Sequence, residues 1–264
     1  VEDASLTFNG EIYNYRQLAK EYLPDVALQT HSDTEVVLHL LKRYGPDIIR
    51  KFDGMFAFAY IRNGDLLLAR DPLGIKPLYL GKHKNVTYFA SEIKALAPIT
   101  GQVQEFPAGM IYQAGQGFKQ YFSLSTLLRN RQIPSSPIDA FPVIRQVTRQ
   151  AVQKRMMADV PVGVSLSGGL DSSIIALMAR EFNENLNTFA VGVEGSQDLP
   201  AARKMAKWLH TRHHEYVYTL AEMKAVLPEV IQSLETFDAP LVRSSIANYF
   251  LTRLVSQHVK VFLT

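Results

Sequence analysis

Residues 162–180 read VGVSLSGGLDSSIIALMAR, and they restrict the fold more than any other stretch of the chain. An apolar run suited to a buried strand meets two glycines, Gly168 and Gly169, and passes at once into helical spacing. A strand that turns through a glycine bend into a helix opens a parallel β–α–β unit, and the surrounding sequence repeats the alternation. A helix is expected from Val143 to Met157, ahead of the strand VGVSL. After it come the helix SSIIALMAREF, the strand NTFAVGV, the helix AARKMAKWLH, the strand EYVY, helices from Leu220 to Leu254 and the strand VKVFLT. The second half of the chain therefore reads as an α/β domain built on a parallel sheet.

In such a sheet, ligands bind beyond the carboxyl ends of the strands, where the SGGLDS loop would lie. Gly168 and Gly169 remove the side chains that would keep a bulky anion off the backbone, and the amides at the helix start carry positive partial charge. Phosphate oxygens suit that environment. The spacings GxxxxGK[ST] and GxGxxG are both missing, so recognition would rest on Ser167, Ser172 and backbone amides. Asp171 would repel a phosphate unless a cation lay between them, which makes it a candidate magnesium ligand. On the residues alone, a tight glycine turn with Asp171 as a helix cap is the competing reading.

The first half has a different texture. LTFNGEIYN reads as a short strand broken by a turn at Asn9 and Gly10. Ser32 and Glu35 have the form of a capping box ahead of TEVVLHLLKRYG, with Gly45 as the stop. GMFAFAYIR and DLLLARD flank Asn63 and Gly64, the signature of a hairpin, and NVTYFAS and MIYQAGQGFKQYF suggest another strand pair. Residues 1–122 are thus expected to form an α+β domain. Residues 123–140, rich in serine and proline, are expected to be an exposed connection with the boundary near Pro134, and 141–264 the α/β domain.

Composition narrows the function. A chain of 264 residues with 47% hydrophobic and 20% charged residues can bury two cores. A net charge of +3, with 28 basic residues interspersed among 25 acidic ones, gives no footprint for nucleic acid. No apolar run has the length of a membrane span and no signal peptide is visible, so a cytoplasmic protein is expected. Cysteine is absent, which removes disulfides, thiolate metal sites and a cysteine nucleophile from these residues. The start at Val1 and the end in VKVFLT are those expected of a fragment.

SLSGGLDSS resembles the pyrophosphate-binding loop of the ATP pyrophosphatases, and RMMADVPVGVSLSGGLDSSIIA resembles the glutamine-hydrolysing asparagine synthetases. FNGEIYNYRQL, HSDTEVVLHLL, FDGMFAFAYI, LLLARDPLGIKPLYL and FASEIKAL resemble that family's glutaminase domain, in the family's order. The resemblance implies an α+β N-terminal-nucleophile glutaminase sandwich followed by an ATP pyrophosphatase domain, each incomplete. It also implies an enzyme that hydrolyses glutamine, passes ammonia internally, adenylates aspartate with ATP and Mg2+ and aminates β-aspartyl-AMP. By the same resemblance, Asn9 and Gly10 form the oxyanion hole and, with Glu11 and Asp33, bind glutamine. Leu166, Ser167, Gly168, Gly169, Asp171, Ser172 and Val191 bind ATP, with Leu166 and Val191 against the adenosine.

The family's nucleophile is an N-terminal cysteine, and a later SGEGADE-type loop carries a further magnesium ligand; neither is among these residues. The chain by itself is therefore expected not to hydrolyse glutamine and to show little or no synthetase activity. The resemblance allows a homodimer. Two other readings stay open: an amide ligase acting on another carboxylate, including a cysteine-free lactam-forming relative, and a glutamine- and ATP-binding module without chemistry. Arg70 and Asp71 read as structural. HTRHHEYVY reads as a strand after a polar turn rather than a metal site, Trp208 as helix packing, and Arg243 with Ser244 as a loop and helix start near the acceptor pocket.

Overall fold

The computed structural model describes residues 3–84, 86–129 and 136–264. The chain forms two compact units, residues 1–133 and 134–264. The boundary expected at Pro134 itself lies outside the described residues.

In the first unit the order is β1 (Ala4–Ile12), α1 (Tyr15–Tyr22), α2 (Asp33–Tyr44), a 3₁₀ segment (Gly45–Lys51), β2 (Gly54–Arg62), β3 (Asp65–Arg70), β4 (Tyr79–His83) and β5 (Val86–Ala90). Then follow α3 (Ile93–Leu96), β6 (Val103–Glu105), β7 (Met110–Gln113), β8 (Gly117–Gln120) and α4 (Leu124–Arg129). Two antiparallel sheets result, ordered β1-β2-β3-β7-β8 and β5-β4-β6. The two-residue alternation along β2 explains the layers. Phe56 and Phe58 pack with Leu18, Val37, Leu40 and Leu41 on the helical side. Ala57 and Ala59 face Leu78, Leu80 and Phe106 on the other side, where small residues let the second sheet close in. Each large side chain buried in this way contributes about 1.5–3 kcal/mol.

Three sequence expectations change here. β1 runs unbroken through Asn9 and Gly10, so no turn occurs there. Gly10 is required for another reason: a Cβ on it would lie 2.1 Å from the Met55 carbonyl oxygen of β2. Ser32 does cap α2, accepting from Thr34 N–H at 3.2 Å, but Glu35 does not complete a box. Its carboxylate takes the Gln29 and Thr30 amides, both at 2.7 Å, and so ties down the preceding loop. NVTYFAS and MIYQAGQGFKQYF also lie in different sheets. The first pairs with β4, and the second folds on itself as the β7–β8 hairpin. The Asn63–Gly64 hairpin forms as read, with both residues at positive φ.

The second unit runs α5 (Pro137–Arg155), β9 (Val162–Ser165), α6 (Leu170–Arg180), β10 (Asn187–Val193), α7 (Asp198–Leu209), β11 (Arg212–Tyr218), α8 (Leu220–Leu234), α9 (Ala239–Ser256) and β12 (Val261–Leu263). Its sheet is parallel, ordered β11-β10-β9-β12. Within the stretch read as a connection, α4 covers 124–129 and α5 begins at Pro137, because Ser136 caps the Asp139 amide and proline suits a first helical turn. Trp208 is 64% exposed, so it does not pack inward from α7 as expected. No helix among the described residues is long and apolar enough to cross a membrane.

Candidate functional sites

The first site lies along the outer edge of β1, the terminal strand of its sheet among the described residues. Tyr13 N–H donates to the Asp53 carbonyl at 2.8 Å, so odd-numbered residues of this strand turn their peptide groups toward β2 and even-numbered ones away. Ile12 N–H accordingly points to the open edge, where it donates to Asp33 Oδ2 at 2.8 Å. Gly10 N–H projects from the same edge, about 7 Å back along the strand. Asn9 and Glu11 share the exposed face of β1, and Asn9 Nδ2 donates to Ser91 Oγ at 3.4 Å. The fold thus brings Asn9, Gly10, Glu11 and Asp33 to one strand edge, with two backbone amides and a carboxylate aimed along it. Ser91 went unnoticed in the sequence, since only the β5–α3 turn carries it to Asn9. Asp33 is more constrained than its motif implies, because Thr34 Oγ1 donates to its other oxygen at 3.3 Å.

Arg70 and Asp71 are buried and organise the neighbouring loop. Asp71 accepts from the amides of Phe56, Leu73, Ile75 and Lys76, and Arg70 donates to the carbonyls of Gly74, Lys76 and Phe106 and to Glu105. Tyr121 donates its hydroxyl to the Arg70 carbonyl, and burial, followed by the nearby Asp71 charge, pushes its phenol above its ordinary value. The pair is structural, as read.

The second site is the bend after β9. Gly168 has φ +79°, and a Cβ there would come within 2.5 Å of the Ala201 carbonyl carbon, so the first turn of α7 rests directly on the loop. Gly169 is the N-cap of α6 and brings no side-chain cap; an added Cβ would meet only Ser167 Oγ, at 3.4 Å. Ser167, Gly169 and Asp171 are exposed. The amides at the head of α6 are therefore bare and reachable from solvent, the arrangement that attracts anions. Ser167 and Ser172 brace the bend through an Oγ···Oγ hydrogen bond of 2.9 Å, and the Ser167 and Gly169 amides also donate to these hydroxyls. Asp171 stands in the first turn of α6.

Leu166 and Val191 reach the bend through their backbones. The Leu166 side chain is fully buried in the core below the loop, so only its backbone faces the bend. Leu166 N–H donates to the Phe189 carbonyl, which shows that Phe189 turns its peptide groups toward β9. Two residues later Val191 turns the same way, but the β9 pairing ends at Phe189 opposite Ser165. Val191 therefore presents an amide and a carbonyl to the gap that β9 leaves as it enters the loop.

Arg243 and Ser244 lie within α9 rather than in a loop, and Ser244 donates to the Leu241 carbonyl. The histidines of β11 are engaged with neighbours: His213 with Thr188 and Glu215, His214 with Asn187. No cluster of three His, Cys, Asp or Glu that could hold a metal ion occurs among the described residues.

Residues 1–153 match the glutamine amidotransferase domain family, and residues 143–264 match the asparagine synthase family. The chain belongs to the glutamine amidotransferase family, with an asparagine synthase domain joined to it in one polypeptide. More particularly, it is similar to glutamine-hydrolysing asparagine synthetases along nearly all of its length. It is 40% identical to a probable asparagine synthetase of Schizosaccharomyces pombe, over 98% of this chain and 51% of the relative. It is 40% identical to asparagine synthetase 2 of Arabidopsis thaliana, over 98% and 47%, and 37% identical to a probable asparagine synthetase of Dictyostelium discoideum, over 100% and 51%. The chain spans about half the length of these curated relatives.

Proposed function

We propose that these residues belong to a cytoplasmic, homodimeric enzyme that makes asparagine from aspartate, with glutamine as nitrogen donor and ATP as activator. The first unit then acts as an N-terminal-nucleophile glutaminase and the second as an ATP pyrophosphatase. The observation that carries the reading is the side-chain-free bend at Gly168 and Gly169, set at the carboxyl end of a parallel strand between the starts of two helices. The linker at 123–140 and the limits 1–122 and 141–264 form part of the same proposal.

In the first unit, Gly10 N–H and the Asn9 side-chain amide donate to the oxyanion formed as the glutamine amide is attacked. Preorganised donors of this kind lower such a barrier by about 3 kcal/mol each. Glu11 and Asp33 hold the α-ammonium group of glutamine. The attacking nucleophile is not among these 264 residues, which contain no cysteine. In the second unit, the amides of the bend and the Ser167 and Ser172 hydroxyls hold the β- and γ-phosphates, while the Val191 backbone and the Leu166 backbone meet the adenosine. Aspartate's β-carboxylate attacks the α-phosphorus and pyrophosphate leaves; ammonia then attacks the acyl carbon and AMP leaves.

A single carboxylate beside phosphate oxygens suits Mg2+, which takes few protein ligands when a nucleotide supplies the others. Asp171 would hold it, and the ion would neutralise charge on the phosphates when bound. Calorimetric titration of the chain with ATP in the presence of Mg2+ tests this. Asp171→Ala is expected to weaken binding about tenfold or more; equal affinities would remove the metal role of Asp171.

A further inference from the structure

The two sheets of the first unit leave a cleft at the end of the sandwich toward which β4 runs, with a volume of about 300 Å³, the lower end for small-molecule sites. Its two walls differ in chemistry. On β4, Leu80 is buried against the five-stranded sheet, so Lys82, two residues on, points the same way. Thr87 lies opposite Lys82 and Gln104 opposite Leu80; Gln102, two residues before Gln104, shares that face. Thr87 and Lys82 are thus paired across β5 and β4, and Gln102, the residue before β6, continues this polar row at the exposed mouth of the cleft. The facing wall is aromatic: Tyr112 and Phe118 are cross-strand partners with ring centroids 5.2 Å apart at 60°.

An inward-facing lysine protects exposed sheet edges, but β4 is the central strand of its sheet and needs no such guard. Nor does any carboxylate among the described residues pair with the Lys82 ammonium. A cation aimed between an amide, a hydroxyl and an aromatic wall has the elements of a ligand site: one charge to select the ligand, two hydrogen-bonding groups to orient it and a flat apolar surface to hold it. The strand pairing separates this cleft from the β1 edge. Ser91, the partner of Asn9, follows the end of β5 that pairs with Tyr79, whereas Lys82 lies three residues, about 10 Å, further along β4.

We infer that this cleft binds a small planar anion, an aromatic or heteroaromatic carboxylate, with the ring against Tyr112 and Phe118 and the carboxylate on Lys82, Gln102 and Thr87. Such an anion is a ligand separate from the reactants of the proposed function.

Benzoate is the probe. Titration of the 264-residue chain, followed by NMR shift changes, is expected to saturate with a Kd of about 1 mM or tighter. Lys82→Met should weaken it about tenfold or more, and benzamide, which keeps the ring and loses the charge, should bind the unaltered chain about tenfold more weakly. Gln102→Ala, at an exposed position, checks the orienting group and should weaken benzoate about threefold. No saturation below about 20 mM benzoate, or equal affinity for the unaltered chain and Lys82→Met, overturns the inference.

Discussion

Gly10 and Gly45 both adopt positive φ, 152° and 65°, but they need glycine for different reasons. At Gly45 nothing lies within 4 Å of an added Cβ, so alanine there meets only backbone strain of about 1–2 kcal/mol. At Gly10 the Cβ would strike the Met55 carbonyl of the paired strand and push β1 from β2, which is expected to destabilise by about 2–4 kcal/mol. Urea denaturation of Gly10→Ala and Gly45→Ala should separate the two; similar midpoints would contradict the close approach. The sequence showed that Asn9–Gly10 was special and misassigned the cause. An Asn-Gly pair is the ordinary mark of a turn, and nothing in one strand's letters reveals how near its neighbour will come. Leu166 was legible only in part, for a related reason. Its position at a strand end was legible, but which of its atoms faced the bend depended on a core assembled from α6 and α7.

Among elements, those with strong periodicity were readable: α2, the β2–β3 hairpin, and the whole strand–helix alternation from β9 to β12. β4 was not, because LYLGKH offers a short pattern interrupted by Gly81, and that glycine is needed where Thr100 packs at 2.5 Å from its would-be Cβ. The start of α5 was obscured by serine and proline, residues that mark loops and helix starts alike. The role of Glu35 shows the same limit, since a capping box and a loop tether have the same letters. Ser32→Ala should therefore weaken α2 by about 1 kcal/mol. Glu35→Gln should leave the helix intact and speed hydrogen exchange at Gln29 and Thr30. The Gln29 amide, first among its partners, holds the Glu35 carboxyl below its ordinary value, so the tether is present above about pH 4.5 and is released as pH falls through the lowered value. Unchanged exchange in Glu35→Gln would count against the tether.

At the scale of a whole unit, sensitivity to mildly acidic pH in the second unit gathers at His213 and His214. His214 stacks on Phe189 at 5.0 Å and meets the tilted ring of His258 at 3.9 Å, while His213 lies between Thr188 and Glu215, which also binds Arg203. Burial lowers the pKa of both His213 and His214; His258 adds to the effect at His214, and Glu215 opposes it at His213. The folded state then binds fewer protons than the unfolded chain just below pH 6.5, so stability falls as pH drops through 6.5 toward the lowered values. Denaturation midpoints of the second unit should drop between pH 7.5 and 5.5, and His214→Phe should flatten that drop; a slope unchanged by the substitution would exclude the stacked pair. His214 pairs with Phe189, which lies opposite Ser165, the last residue of β9, so these rings belong to the scaffold on which the glycine bend rests. A decline of nucleotide affinity in mildly acidic buffer would accordingly signal a loosening scaffold, and the ionisation of a reacting group should be sought only after that background has been subtracted.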